Sequence, residues 1–299
     1  MGGLKRWARR GAIGLVALVV VAGAGLVIAA HLGERKMNRR IEVQVTAAAA
    51  RTDPPSIERG RYLYRSRGCM DCHGEDGSGK VVVEDGSGLL VKAPGITSGP
   101  SGVVNAYTDR DWTRTIRHGI KPDGRPVMIM PSEDYNRLTD ADLGSLIGYL
   151  RQMPPAPGGP AVVQLPLPLK ALYAVGAIHD AAGKIDHRLP PARPVPEGAT
   201  VEHGAYVANA CIGCHGPRLE GGRIPGSPPD WPPAASLRPG ANGPMRAYAD
   251  AKAFSDMFKT GRRPDGSEVS KVMPFLSLKE MNDQDVQALF LYLRSLPAG

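Results

Sequence analysis

The sequence predicts an all-α chain: two copies of one helical domain behind a single N-terminal membrane-spanning helix. Three observations lead there. They are a long internal repeat, apolar residues at helical intervals within each copy, and a 20-residue uncharged stretch near the N-terminus. The length, 299 residues, suits two domains and an appendage. Hydrophobic residues make up 42% of the chain, but aromatic residues only 5%, with four Phe. So few large side chains suggest that a bulky non-protein group fills the centre of each domain. The 37 Gly and 28 Pro predict long irregular connections.

The uncharged stretch covers residues 11–30. Twenty residues at 1.5 Å rise span about 30 Å, the thickness of a bilayer's hydrocarbon core. A basic cluster, Lys5 to Arg10, precedes it and suits a cytoplasmic N-terminus. A signal peptide also begins this way, but its apolar core is shorter, so length favours an uncleaved anchor over cleavage after Ala24 or Ala30. The rest of residues 31–56 reads as a tether, helical at first.

The repeat is found by offset. Cys69-Met70-Asp71-Cys72-His73-Gly74 recurs 142 positions later as Cys211-Ile212-Gly213-Cys214-His215-Gly216. The same offset carries Trp112 onto Phe254, Gly119 onto Gly261, and Pro122-Asp123-Gly124 onto Pro264-Asp265-Gly266. Beyond that turn the offset becomes 143. Met130-Pro131 then matches Met273-Pro274, and Tyr149-Leu150-Arg151 matches Tyr292-Leu293-Arg294. The domains are placed at 57–153 and 201–299. Each copy predicts three helices: 57–66, 108–118 and 138–152 in the first, 201–210, 251–260 and 282–295 in the second. Thr139 and Asn282 read as N-caps, and Gly119 and Gly261 as stops. No sustained alternation predicts a sheet. The Pro-rich linker 154–200 carries one short helix at 169–178 and limits how far the domains separate.

The formal charge of +8 does not mark a nucleic-acid surface. Of 37 basic and 29 acidic groups, eight basic and one acidic fall in residues 1–40, leaving 29 against 28 elsewhere. The basicity flanks the apolar stretch, and no aromatic-interleaved basic patch is present.

All four cysteines lie in the two C-x-x-C-H motifs, the attachment pattern of c-type haem. On a helix, residues i, i+3 and i+4 share a face. Cys69 and Cys72 thus meet the two haem vinyl groups while His73 reaches the iron, and Cys211, Cys214 and His215 do the same. A zinc ribbon pairs its C-x-x-C units 15–20 residues apart, whereas Cys72 and Cys211 are 139 apart. A dithiol redox site needs no histidine after both pairs. The expected cofactors are therefore two covalently bound haem c.

Sixth-ligand candidates are Met128, Met130 and Met153 in the first copy and Met257, Met273 and Met281 in the second. Most methionines are core filler. Met130 and Met273 stand apart because they are equivalent in the repeat and each precedes a proline. They are the expected axial ligands, with Met128 as fallback. His118, whose counterpart is Thr260, reads as structural, and His31, His179, His187 and His203 have no comparable context. His/Met ligation raises the potential and closes both faces of the iron, which suits electron transfer over substrate activation.

These residues resemble class I cytochromes c over about 57–299. The resemblance rests on Gly60, Cys69-x-x-Cys72-His73, Tyr107-Thr108-Asp109, Trp112, Pro122-Asp123-Gly124-Arg125-Pro126, Met130-Pro131 and Tyr149-Leu150-Arg151. With the Leu165-Pro166-Leu167-Pro168-Leu169 linker, the chain is similar to multihaem cytochrome subunits of membrane-bound periplasmic dehydrogenases. In alcohol dehydrogenases such subunits carry three such domains, where this chain shows two. The resemblance implies an electron-transfer subunit, not an enzyme, in the inner (cytoplasmic) membrane with its haem domains facing the periplasm or cell exterior. Its donor is a periplasmic dehydrogenase or respiratory complex, its acceptor a cytochrome or terminal oxidase. A different class, a dihaem peroxidase or thiosulfate-oxidising cytochrome, needs an iron that opens or a fifth cysteine. A third, a docking subunit with conducting haems, is compatible with the tether.

Overall fold

The computed structural model describes residues 2–298, apart from 100, 225, 229, 241 and 242. Helix α1, Gly2–Met37, is long and apolar enough to cross a membrane, and its apolar span is exposed over residues 11–28. The chain then runs extended against the first module. Ile41 N–H donates to Gly124 O, Ala48 N–H to Thr113 Oγ1 and Arg51 N–H to Gly144 O, each at 2.9–3.0 Å. Residues 38–53 are therefore laid on the module and do not stand free as a spacer.

Module 1 contains α2 (Pro54–Ser66), α3 (Cys69–His73), α4 (Asp109–His118), α5 (Ser132–Tyr135) and α6 (Asp140–Gln152). Module 2 repeats the order with α8 (Val201–Val207), α9 (Ile212–His215), α10 (Ala251–Thr260), α11 (Phe275–Leu278) and α12 (Asp283–Ser295). Between them the linker forms α7, Leu167–Ala174. It begins two residues earlier than the expected 169 because Pro168, in the first turn, lacks only an N–H that would have no intrahelical partner.

In each module the first and last helices cross backbone to backbone. A Cβ at Gly60 would lie 2.1 Å from Ser145 O, and one at Gly204 would lie 2.0 Å from Ala288 O. Glycine is needed at that crossing. The equivalence of Gly60 and Gly204 also sets an offset of 144 there, not 142. Module 2 is two residues shorter before its motif and closes the gap with a 3₁₀ turn, Ala208–Cys211. The predicted caps form as expected: Thr139 accepts from Asp142 N–H and Asn282 from Asp285 N–H.

A small antiparallel sheet departs from the all-helical expectation. It joins β1 (Val81–Glu84), β2 (Leu90–Lys92) and β3 (Val162–Gln164). Val81, Val82 and Val83 are all exposed, so no alternation announces the strand. The third strand comes from the linker, which wraps module 1. Lys184 pairs with Glu133 at 2.8 Å, and His118 Nδ1 lies 3.1 Å from His187 Nδ1. His118 is buried and pushed down to about 4, by burial first and then by its cationic and imidazole neighbours.

The two modules meet through an internal pseudo-twofold interface. Tyr62 of α2 donates to Asp285 of α12 at 2.7 Å, and its equivalent Tyr206 of α8 donates to Asp142 of α6 at 2.6 Å. Asn282 N–H donates to the Tyr62 hydroxyl and Thr139 N–H to the Tyr206 hydroxyl, both at 3.3 Å. Such reciprocal contacts are the signature of an isologous interface.

Candidate haem-attachment sites

Each C-x-x-C-H motif sits on short helical turns after the first helix of its module: α3 holds the whole first motif, while Cys211 ends the 3₁₀ turn and α9 carries the rest of the second. In both, the loop that follows folds back identically. Gly79 N–H donates to His73 O and Gly221 N–H to His215 O, each at 2.8 Å. That loop brings a backbone carbonyl to each imidazole: Pro94 O lies 2.9 Å from His73 Nδ1, and Ala235 O lies 2.8 Å from His215 Nδ1. A carbonyl only accepts, so Nδ1 carries the proton and Nε2 keeps its lone pair for a metal. Burial pushes both imidazoles down in pKa, which favours the neutral, ligating form. Tyr64, fully buried, donates to Gly74 O and pins the end of the first motif.

The thiols are not tuned as a redox dithiol would be. Burial pushes Cys69 and Cys211 up to about 12, and raises Cys72 and Cys214 as well. A nucleophilic cysteine requires the opposite shift. Nor is a zinc site formed: among the described residues no group of three or more His, Cys, Asp or Glu side chains converges. Two spaced thiols and one imidazole with a free Nε2, repeated in two modules, fit covalent haem.

Met130 and Met273 sit immediately before α5 and α11, half-buried, and pack against the hydrophobic cores of their own modules. Met153, Met257 and Met281 are buried within those cores. Met128 is not among the residues packed on the first core.

The turn after each methionine reaches across to the opposite motif. Gly213, inside the second motif, donates its N–H to Asp134 of α5 at 2.7 Å; Ser277 of α11 donates to Asp71, inside the first, at 2.7 Å. Asp71 and Gly213 are equivalent, as are Ser277 and Asp134. Both motifs therefore abut the same interface. Burial pushes Asp134 up to about 8, against the pull of the Gly213 N–H.

Sequence reasoning left out the interface residues. Asp285 is 1% exposed and receives Tyr62, His203 Nε2 at 2.8 Å and Arg67 Nη2 at 2.9 Å. Asp142 receives Tyr206 and both Nε and Nη2 of Arg59, at 2.8 and 2.9 Å. His203, which the sequence left without context, is thus a buried partner of Asp285. The readable signal was the equivalence of two aspartates, each third in the last helix of its repeat.

Comparison with known proteins agrees with this geometry. The family model described as cytochrome c oxidase, cbb3-type, subunit III matches residues 55–150, and the cytochrome c model matches 201–297. The fructose dehydrogenase cytochrome subunit of Gluconobacter japonicus is 29% identical over 82% of this chain and 53% of that protein. The cytochrome c subunit of the quinone alcohol dehydrogenase of Gluconobacter oxydans is 25% identical over 84% of this chain and 57% of its own length. The gluconate 2-dehydrogenase cytochrome c subunit of Pantoea cypripedii is 23% identical over 81% and 60%. The chain thus spans little more than half the length of these relatives. With matched family models, two attachment motifs and equivalent histidine environments, the chain is a c-type cytochrome that carries two cytochrome c domains in tandem and, with them, two covalently bound haem c groups.

Proposed function

We propose that this chain is the electron-transfer subunit of a membrane-bound dehydrogenase complex, passing electrons from a periplasmic donor to a downstream cytochrome or terminal oxidase. Helix α1 holds it in the inner membrane with both modules on the periplasmic side. The observation that carries the reading is the shared interface, where both haem motifs lie against the opposite module's post-methionine turn. Two redox centres so placed make a relay rather than two separate carriers.

Haem c, when bound, supplies one-electron exchange at its iron. The chain's own residues hold it. Cys69, Cys72, Cys211 and Cys214 fix it covalently; His73 and His215 present Nε2 in a set orientation because Nδ1 is tied to a carbonyl. Met130 and Met273 would supply the further iron ligands, each packed on a core and stiffened by the proline that follows. Ligation by imidazole and thioether would favour electron transfer over substrate activation, and the relatives named as cytochrome subunits of fructose, alcohol and gluconate dehydrogenases support a partner of that kind.

Purification from native membranes in mild detergent, with the tag on this chain, tests the proposal. The expected result is a co-purifying catalytic subunit whose substrate reduces both haems. A chain that emerges alone, with haems that no dehydrogenase in the membrane reduces, contradicts it.

A further inference from the structure

Beyond the haem modules, the contact between α1 and α7 points to the membrane. Gly33 lies against Lys170, where a Cβ would meet Lys170 O at 2.2 Å. Lys36 Nζ donates to Tyr173 O at 2.7 Å, and Arg39 donates to the Tyr173 hydroxyl and to Asp180, both at 2.6 Å. The partners climb both segments together, so α7 runs in the same direction as the end of α1, backbone against backbone. Three residues back from Gly33 and Lys170 are Ala30 and Leu167. Ala30 ends the uncharged stretch and is 3% exposed. Leu167 therefore stands at the height where α1 leaves the hydrocarbon.

The chemistry at that height is apolar. Leu167 is 50% exposed, Pro168 is exposed, and Ile28 and Leu32 of α1 are 61% and 51% exposed. Pro166 and Pro168 lack an N–H, so this tip presents fewer backbone donors that would be stranded away from water. One turn higher the character changes. Arg35 and Arg40 are exposed, and Lys36 and Arg39 lie between them, at the level of lipid phosphates.

We propose that the tip of the linker, residues 165–169, seats in the outer interface of the lipid bilayer beside α1, as a second point of membrane contact. Lipid is the occupant because the exposed tip continues the apolar surface of α1 and is capped by the exposed Arg35 and Arg40, whose charge matches headgroup phosphates. The modules are then held at a fixed height and rotation above the bilayer. The inference rests on α1 crossing the membrane. It does not extend to the whole exposed side of α7: Val175 is eight residues above Leu167, about 12 Å further from the hydrocarbon at helical rise.

Nitroxide labels on the full-length holoprotein in single-copy anionic-lipid nanodiscs test this. The native cysteines are consumed as thioethers, so Val19→Cys, Leu167→Cys, Val175→Cys and Gln287→Cys each label at one place. The readout is collision with oxygen relative to a water-soluble nickel chelate. The expected ratio at 167 rises toward that at 19, while 175 stays near 287, an exposed site on α12. A ratio at 167 equal to that at 287, with 19 still oxygen-rich, overturns the second contact alone. Chelate access at 19 overturns the crossing of α1 itself. Protection of 167 from both reagents means that protein covers the tip, and this also overturns the proposal.

Discussion

Asp142 and Asp285 occupy the same place in their repeats and meet the same demand with different partners. Each is a buried carboxylate facing a tyrosine of the other module, but Arg59 balances the first and Arg67 with His203 the second. Each tyrosine hydroxyl donates to an ionised acceptor, so Tyr62→Phe and Tyr206→Phe should each cost about 1.5–3 kcal/mol in chemical unfolding of the holoprotein. Near-equal losses are expected because the contacts are equivalent. Both carboxylates are held below the usual aspartate range, Asp285 further. Burial opposes its ionisation, but Arg67, with hydrogen bonds from Tyr62 and His203, outweighs burial and holds it at about 2. An unfolded aspartate titrates near 3.9. The stabilisation, about 2–3 kcal/mol, is therefore present above about pH 4 and is lost as pH falls toward 2. Small-angle scattering should show the modules separating in that window. In Asp285→Asn the modules should already be loosened at neutral pH, with a flatter acid transition.

At the scale of elements, what the sequence revealed was local. Thr139 and Asn282 cap because their side chains need only reach an N–H within one turn, and Gly119 and Gly261 end α4 and α10 with left-handed φ of 64° and 69°. The crossing of first and last helices was not visible, since it depends on residues some 85 positions apart. Gly60→Ala or Gly204→Ala should force those helices apart and destabilise by about 1–3 kcal/mol or more, measured by the urea midpoint of the holoprotein. The shortened approach to the second motif was also hidden. A 3₁₀ turn has no apolar period of its own, and the strong Cys-His match drew the alignment to 142. The strands went unseen for a related reason: Val81, Val82 and Val83 are exposed together and carry no face.

For the whole molecule, the repeat announced two modules but not their pairing. Contacts between modules use Tyr, Asp, Arg, Glu and Ser, residues that a single sequence reads as solvated surface until two of them prove equivalent. The haem motifs were legible because covalent attachment and ligation demand fixed residue types at fixed spacing. The proposed methionine ligands rest on the repeat, which gives Met130 and Met273 equivalent places. These parts join in the proposed relay: two haems, each with proposed histidine and methionine ligands, exchanging electrons across one interface. Spectroelectrochemical titration of the holoprotein with near-infrared magnetic circular dichroism tests it most directly. Two one-electron couples per chain are expected, both low-spin with the methionine–iron signature. Met130→Ala and Met273→Ala should each remove that signature from one couple and lower its potential, leaving the other in place. A high-spin iron in the unsubstituted protein, or a Met130→Ala chain with both signatures intact, would contradict it.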